Sequence, residues 1–277
     1  MITGRTSLIA HIGFPTESFK APMIYNPYFE QQGIDTIVVP MGCTTDAFPA
    51  FLPALFSLTN MRGALITMPH KVSVMALLDD ISIAGRIAGA CNAVKRRADG
   101  ALVGDMFDGA GFVRGLARKG CIFDGRRALV VGSGGVGSAI AASLAATGLA
   151  EIALFDVNTA ASEALATRLK VHHPTLRVGI GRNDPDGFDI IVNATPLGMK
   201  AGDPMPMDVT RISPRAFVGE VVMKQETTAF LDAAIRRGCT VQVGIDMLFE
   251  MIPAYLEFFG FPTTTPDALR AVATIQY

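Results

Sequence analysis

From residue 6 onward the chain alternates short apolar, β-branched runs with amphipathic stretches, most of them closed by glycine or proline. Residues 6–13 are a mostly apolar run ending at Gly13 and predict a buried strand. Residues 22–32, opened by Pro22 and closed by Gly33, predict a helix, and residues 35–41 a second strand. Helical spacing returns over 48–59, a third strand over 63–68 and another helix over 72–78. Residues 91–95 and 101–104 flank the turn Ala98-Asp99-Gly100 and predict a pair of short strands.

A second series begins near residue 108 without a flexible linker. It reads as helix 109–119, strand 127–131, helix 138–147, strand 151–156 and helix 160–170. Strands are then predicted over 188–193, 216–222 and 240–243, with a helix over 228–237. Residues 247–259 form an apolar helical stretch, and Thr263-Thr264-Thr265-Pro266 marks a further helix start. Strands alternating with helices imply parallel pairing through crossover helices, so the fold class is α/β, in two parts dividing near residues 106–108.

Composition narrows the function classes. The 277 residues are 50% hydrophobic and 18% charged with a net charge of −1, and no basic stripe offers itself to nucleic acid. Cys43, Cys91, Cys121 and Cys239 are scattered without C-x-x-C spacing, which predicts buried small hydrophobes in a reducing compartment. No histidine–cysteine cluster points to a metal. The N-terminus does not read as a signal peptide, and no apolar run approaches the roughly 18 residues of a membrane span. A cytoplasmic protein acting on a small molecule, with no nucleic-acid or membrane partner, is the expectation.

The first chemical motif is a glycine-rich turn. Gly132-Ser133-Gly134-Gly135-Val136-Gly137 follows a predicted strand and opens a small-residue helix, the G-x-G-x-x-G arrangement of a dinucleotide site. Gly132 permits the tight turn, Gly134 lets a pyrophosphate approach the backbone, and Gly137 lets the helix pack on the strand. The helix N-terminus adds free N–H groups and the positive end of a dipole. About 20 residues on, Asp156 ends the next strand. A carboxylate there accepts from both ribose hydroxyls and repels a 2′-phosphate, so NAD is expected over NADP.

Several ordered motifs then carry a resemblance. They are Gly13-Phe14-Pro15 with Pro22 and Asn26; Thr67-Met68-Pro69-His70-Lys71; Gly89-Ala90-Cys91-Asn92; Gly104-Asp105-Met106-Phe107-Asp108-Gly109; the glycine turn; Asn193-Ala194-Thr195-Pro196-Leu197-Gly198-Met199; and Gly244-Ile245-Asp246-Met247-Leu248. In order and spacing the chain resembles the shikimate dehydrogenase family, which includes quinate/shikimate dehydrogenases. The resemblance implies an N-terminal α/β substrate domain over residues 1–107, completed by C-terminal helices 246–277. It also implies a Rossmann-type doubly wound parallel sheet over 108–245, with the active site in a cleft and a homodimer as the assembly. It makes Lys71 and Asp108 the catalytic acid–base pair, and Thr67 and Asn92 ligands of substrate hydroxyls. Thr195, Leu197, Gly244 and Met247 become the nicotinamide-side wall. The implied reaction is hydride transfer between NAD(P) and a ring alcohol, shikimate-, quinate- or polyol-like, as in aromatic amino-acid biosynthesis.

The substrate end departs from the family. Where the family has Ser-x-Ser-Pro to bind a carboxylate, this chain has Phe19-Lys20-Ala21-Pro22. Leu65 replaces an asparagine, Phe107 a threonine, and Met251 stands near the usual glutamine. A carboxylate moved against an apolar wall loses its hydration uncompensated, at several kcal/mol, so a cyclic polyol or hydroxy-ketone with a less demanding carboxylate is the expected substrate. Two rivals fit parts of this pattern: a non-catalytic NAD-binding regulatory module, and a reductase sharing only the cofactor domain, such as methylene-tetrahydrofolate dehydrogenase.

Overall fold

A computed structural model describes residues 2–276 of the chain. They divide into two compact units. The first takes residues up to Arg86, Ala90–Phe107 and Met251–Gln276; the second takes Ile87–Gly89 and Asp108–Glu250.

The first unit contains β1 (Ser7–Gly13), α1 (Pro22–Gln31), β2 (Thr36–Gly42), α2 (Phe48–Leu55), β3 (Met61–Ile66) and β4 (Asp80–Ile81). After α3 (Ile83–Ala88), whose last two residues are counted with the second unit, come β5 (Ala93–Arg96) and β6 (Leu102–Asp105). The sheet order is β2-β1-β3-β5-β6-β4. β1 pairs in parallel with β2 and β3, whereas β5 pairs antiparallel with β3 and, across the Ala98–Gly100 turn, with β6. Asn26 of α1 clamps the outer strand: its Oδ1 accepts from Val38 N (2.8 Å) and its Nδ2 donates to Val38 O (3.1 Å). A core of Ile12, Phe48, Leu52, Ile66, Val74 and Val94 fills one side of this sheet.

The second unit contains α4 (Asp108–Arg118), β7 (Arg127–Val131), α5 (Gly135–Ala145), β8 (Glu151–Phe155), α6 (Thr159–His172), β9 (Arg177–Ile180), β10 (Ile190–Asn193), β11 (Phe217–Glu220), α7 (Ala229–Arg236) and β12 (Thr240–Gln242). All its strands are parallel, in the order β12-β11-β10-β7-β8-β9. The strand order reverses between β7 and β10, the topological switch point at which doubly wound sheets bind dinucleotides. Apolar cores lie against α5 and α6 (Ile140, Leu144, Leu165, Leu169) and against α7 (Phe230, Leu231, Ala234). α4 lies against α5 so closely that a Cβ on Gly109 would stand 1.9 Å from Ala139 O. α8 (Gly244–Phe258) returns the chain to the first unit, and α9 (Pro266–Val272) follows its cap, Thr265, whose hydroxyl accepts from Ala268 N at 3.2 Å.

Several elements differ from the sequence expectation. The helix expected over 48–59 ends at Leu55, with Pro53 inside it and Phe56 closing it. Residues 73–77 form a 3-10 helix, one tight turn, in place of an α-helix. β4, α3 and β9 were not expected. β4 has two residues, and β9 is largely solvent-facing, so neither shows an apolar alternation. α5 begins three residues early, because Gly134 already serves as its cap.

Candidate active site

In the first unit, the segment 67–71 is held from both sides. Thr67 N donates to Ile12 O (2.9 Å), and Met68 O accepts from Phe14 N (3.0 Å). His70 is fully buried, its Nε2 2.8 Å from Cys43 O and its ring stacked on Phe48 at 4.0 Å. It anchors the turn. Lys71 O accepts from Cys91 N (2.8 Å), which sets Lys71 beside Asn92 with its side chain half-buried.

Asn92 is buried at the start of β5. Its Oδ1 accepts from Phe107 N (3.0 Å), while its carbonyl takes Ile66 N (2.8 Å) and the Tyr255 hydroxyl (3.2 Å). Phe107 packs edge-on against Tyr255 at 4.8 Å, and Met251 of α8 is buried. Phe19 and Ala21 are also buried, at the entrance to α1. Around Gly13 there is no spare room: a Cβ there would lie 2.4 Å from Thr67 Cγ2 and 2.9 Å from Phe19 Cζ. Lys20 is buried too, and its amine donates to the backbone carbonyl of Gln276.

Sequence reasoning missed His11. The imidazole stacks on Phe19 at 4.1 Å, and its buried Nδ1 has no protein partner among the described residues. Burial, and then the charge of Lys71, hold its pKa down to about 3, so it is neutral at ordinary pH. Its one signal was an imidazole inside the apolar run Leu8-Ile9-Ala10-His11-Ile12.

In the second unit, Asp108 is the first residue of α4 and is 1% exposed, an acid at the positive end of a helix dipole. The glycine turn joins β7 to α5 at the switch point. Gly132 has φ +106°, and a Cβ on it would meet Ala194 C at 2.7 Å; one on Gly137 would meet Gly132 O at 1.9 Å. Gly134 differs: nothing lies within 4 Å of its Cβ position. Ser133 is buried and Val136 half-buried, and Gly134 to Val136 start α5, whose first N–H groups have no intrahelical acceptor. Open space at Gly134 beside a helix N-terminus fits the pyrophosphate of a dinucleotide.

The segment after β10 lies against that turn and is tied internally. Asn193 Oδ1 accepts from Thr195 N (3.1 Å) and Oγ1 (2.6 Å), and its Nδ2 donates to Leu197 O (3.0 Å). Gly244 is packed against Val222 O, 2.2 Å from its Cβ position, and Met247 is buried in the core of this unit. Glu220, also missed, is 1% exposed at the end of β11. Burial pushes the Cys91 and Cys121 thiols up to about 12 and about 11, which keeps both as thiols at ordinary pH. Among the described residues no cluster of His, Cys, Asp and Glu could hold a metal, and no helix is long and apolar enough to cross a membrane.

Residues 12–94 match the sequence profile of the shikimate dehydrogenase substrate binding domain. A shikimate dehydrogenase (NADP(+)) of Rubrobacter xylanophilus is 36% identical over 279 residues, 98% of this chain and 97% of that one. One of Geobacter metallireducens is 34% identical over 277 residues, 97% and 96% of the two chains. The crystal structure of shikimate 5-dehydrogenase from Listeria monocytogenes, in complex with shikimate and NAD, superposes with a TM-score of 0.87 at 25% identity, covering 98% of this chain and 97% of that one. These are enzymes by name, and the non-catalytic module is not favoured.

The cofactor expectation requires correction. Curated relatives at 30–36% identity are named for NADP(+), which overturns the preference for NAD drawn from Asp156. The structure supplies a physical reason. Asp156 Oδ2 accepts from Ser133 N (2.6 Å) and Oδ1 from Asn158 N (2.8 Å), so both oxygens are engaged by backbone and the carboxylate ties the glycine turn to β8. It braces the turn, with part of its acceptor capacity already taken by backbone. Asp156→Ala is therefore expected to weaken NADPH and NADH by similar factors in fluorescence titrations; weakening confined to one cofactor would contradict the brace.

Proposed function

Since the chain belongs to the shikimate dehydrogenase family, we propose that it is an NADP-dependent oxidoreductase acting on a secondary ring alcohol of the shikimate, quinate or related polyol class. In this proposal Lys71 and Asp108 handle the hydroxyl proton. When bound, the nicotinamide supplies the hydride acceptor and, in reverse, the donor.

Oxidising a carbinol carbon requires the hydroxyl proton to leave as the hydride does, and reduction requires a donor at the carbonyl oxygen. An amine does both. What carries the proposal is the mounting of Lys71: bonded at its carbonyl to Cys91 N, following an anchored His70, and next to the buried Asn92. Thr67 and Asn92 orient the substrate hydroxyls. Gly132 to Gly137 hold the pyrophosphate, and Thr195, Leu197 and Gly244 the nicotinamide end.

At the far end of the substrate, Phe19 and Ala21 present carbon, His11 is neutral, and the Lys20 amine is engaged with a backbone carbonyl. At Phe19 a carboxylate meets an aromatic face in place of a hydroxyl donor. Turnover of NADP+ with shikimate, quinate and uncharged cyclic polyols tests both levels. The expected result is oxidation of at least one of these rings, with kcat/KM for shikimate below about 10⁴ M⁻¹ s⁻¹. A higher value for shikimate removes the preference for an uncharged ring. No turnover across the panel, by protein that binds NADPH, removes the dehydrogenase.

A further inference from the structure

Glu220 is a buried acid that the chemistry above does not use. It ends β11, beside the end of β10 where the Asn193–Leu197 segment begins. Its Oε2 accepts from the Thr228 hydroxyl at 2.8 Å, and Asn193, its partner on the paired strand, adjoins the same carboxyl group. Asn193 Oδ1 is already taken by Thr195, so it is the Asn193 amide N–H that meets the acid. Asn193 in turn fixes Thr195 and Leu197, and that segment abuts the glycine turn: a Cβ on Gly132 would lie 2.7 Å from Ala194 O and 3.0 Å from Thr195 N. A chain of contacts thus runs from Glu220 through Asn193 and Thr195 to the turn.

We propose that Glu220 is a positioning residue for the cofactor, holding the Asn193–Leu197 segment against the glycine turn by accepting from Asn193 and Thr228 together. It rests on the cofactor assignment made above. A carboxylate has acceptor sites on both oxygens and serves both donors; a protonated carboxyl turns one O–H toward a donor. Burial, and to a lesser degree Asp232 of α7, raises the pKa of Glu220 to about 7 against the opposing pull of the Thr228 and Asn193 bonds. The adjoining strands present neutral groups, Asn193 on β10 and Gln242 on β12. Below that pKa the clamp loosens, and above it the clamp is complete.

The test is NADPH affinity by fluorescence titration between pH 6 and 8, on parent, Glu220→Gln and Glu220→Asp. Glutamine has one acceptor oxygen for two donors, so its NADPH Kd at pH 8 is expected to rise about tenfold. The ratio of variant to parent Kd should shrink as pH falls through about 7, which also removes the common contribution of the cofactor's own phosphate. Glu220→Asp keeps the titrating group and should keep the pH dependence; it carries the test if Glu220→Gln fails to fold. A Kd and pH profile unchanged in the folded variants overturns the proposal. Parent protein that binds no NADPH overturns the cofactor assignment beneath it.

Discussion

Lys71→Ala should lower kcat by about 10²–10⁴-fold, the usual worth of a positioned general acid–base group, while NADPH affinity stays close to that of the parent. The split follows from where the residue sits. Its backbone is fixed by Cys91 N and by the anchored His70, and those bonds do not involve the ammonium group. Truncation therefore removes the proton carrier and leaves its mount, so the melting temperature should move little. Lys71→Arg should not rescue, because a guanidinium keeps its proton at any pH the fold survives. Asp108→Asn, nearly isosteric at a residue 1% exposed, should also lower kcat with little effect on NADPH binding. Removing the Lys71 ammonium also takes away a charge that holds the His11 pKa down, so that pKa should rise, though burial, the larger cause, remains. NMR titration of His11 is a check independent of turnover. Steady-state rates for Lys71→Ala within a few-fold of the parent would end the acid–base role.

The fold was largely legible because its strands are apolar runs punctuated by glycine, and that pattern depends on near neighbours in the chain. β7 was bounded to the residue, and α4 and β8 to within one. What failed depended on partners distant in sequence. Asp156 was correctly placed at a strand end, but Ser133 N, 23 residues earlier, claims its carboxylate. His11 looked like an apolar position until Phe19 and Lys71 were brought beside it. Glu220 carried no motif at all, and its meaning comes from Asn193 and Thr228 converging on it. Residue type and spacing disclose motifs built on a local turn. The residues that hold those groups in place show only after folding.

The glycine turn allows the two roles to be separated by experiment. Gly137→Ala would place a methyl 1.9 Å from Gly132 O and 3.1 Å from Ala194 Cβ. Neither contact can relax cheaply, since one atom is backbone and the other sits in the segment after β10. Overpacking of this kind costs about 1–3 kcal/mol or more, a fall in melting temperature of roughly 5 °C or beyond for a domain of this size. Gly134→Ala should behave in the opposite way. Its φ of −71° and ψ of −172° suit any residue, and its Cβ position meets nothing within 4 Å. The fold should accept the methyl with a change in stability within about 0.5 kcal/mol. The same open space is what a pyrophosphate needs, so NADPH affinity should drop by about tenfold or more as the methyl intrudes. Calorimetric melting alongside NADPH titration of the two variants separates scaffold from site. If Gly134→Ala bound NADPH as tightly as the parent, the space above Gly134 would not be the phosphate site, and the cofactor would have to be placed elsewhere on the sheet.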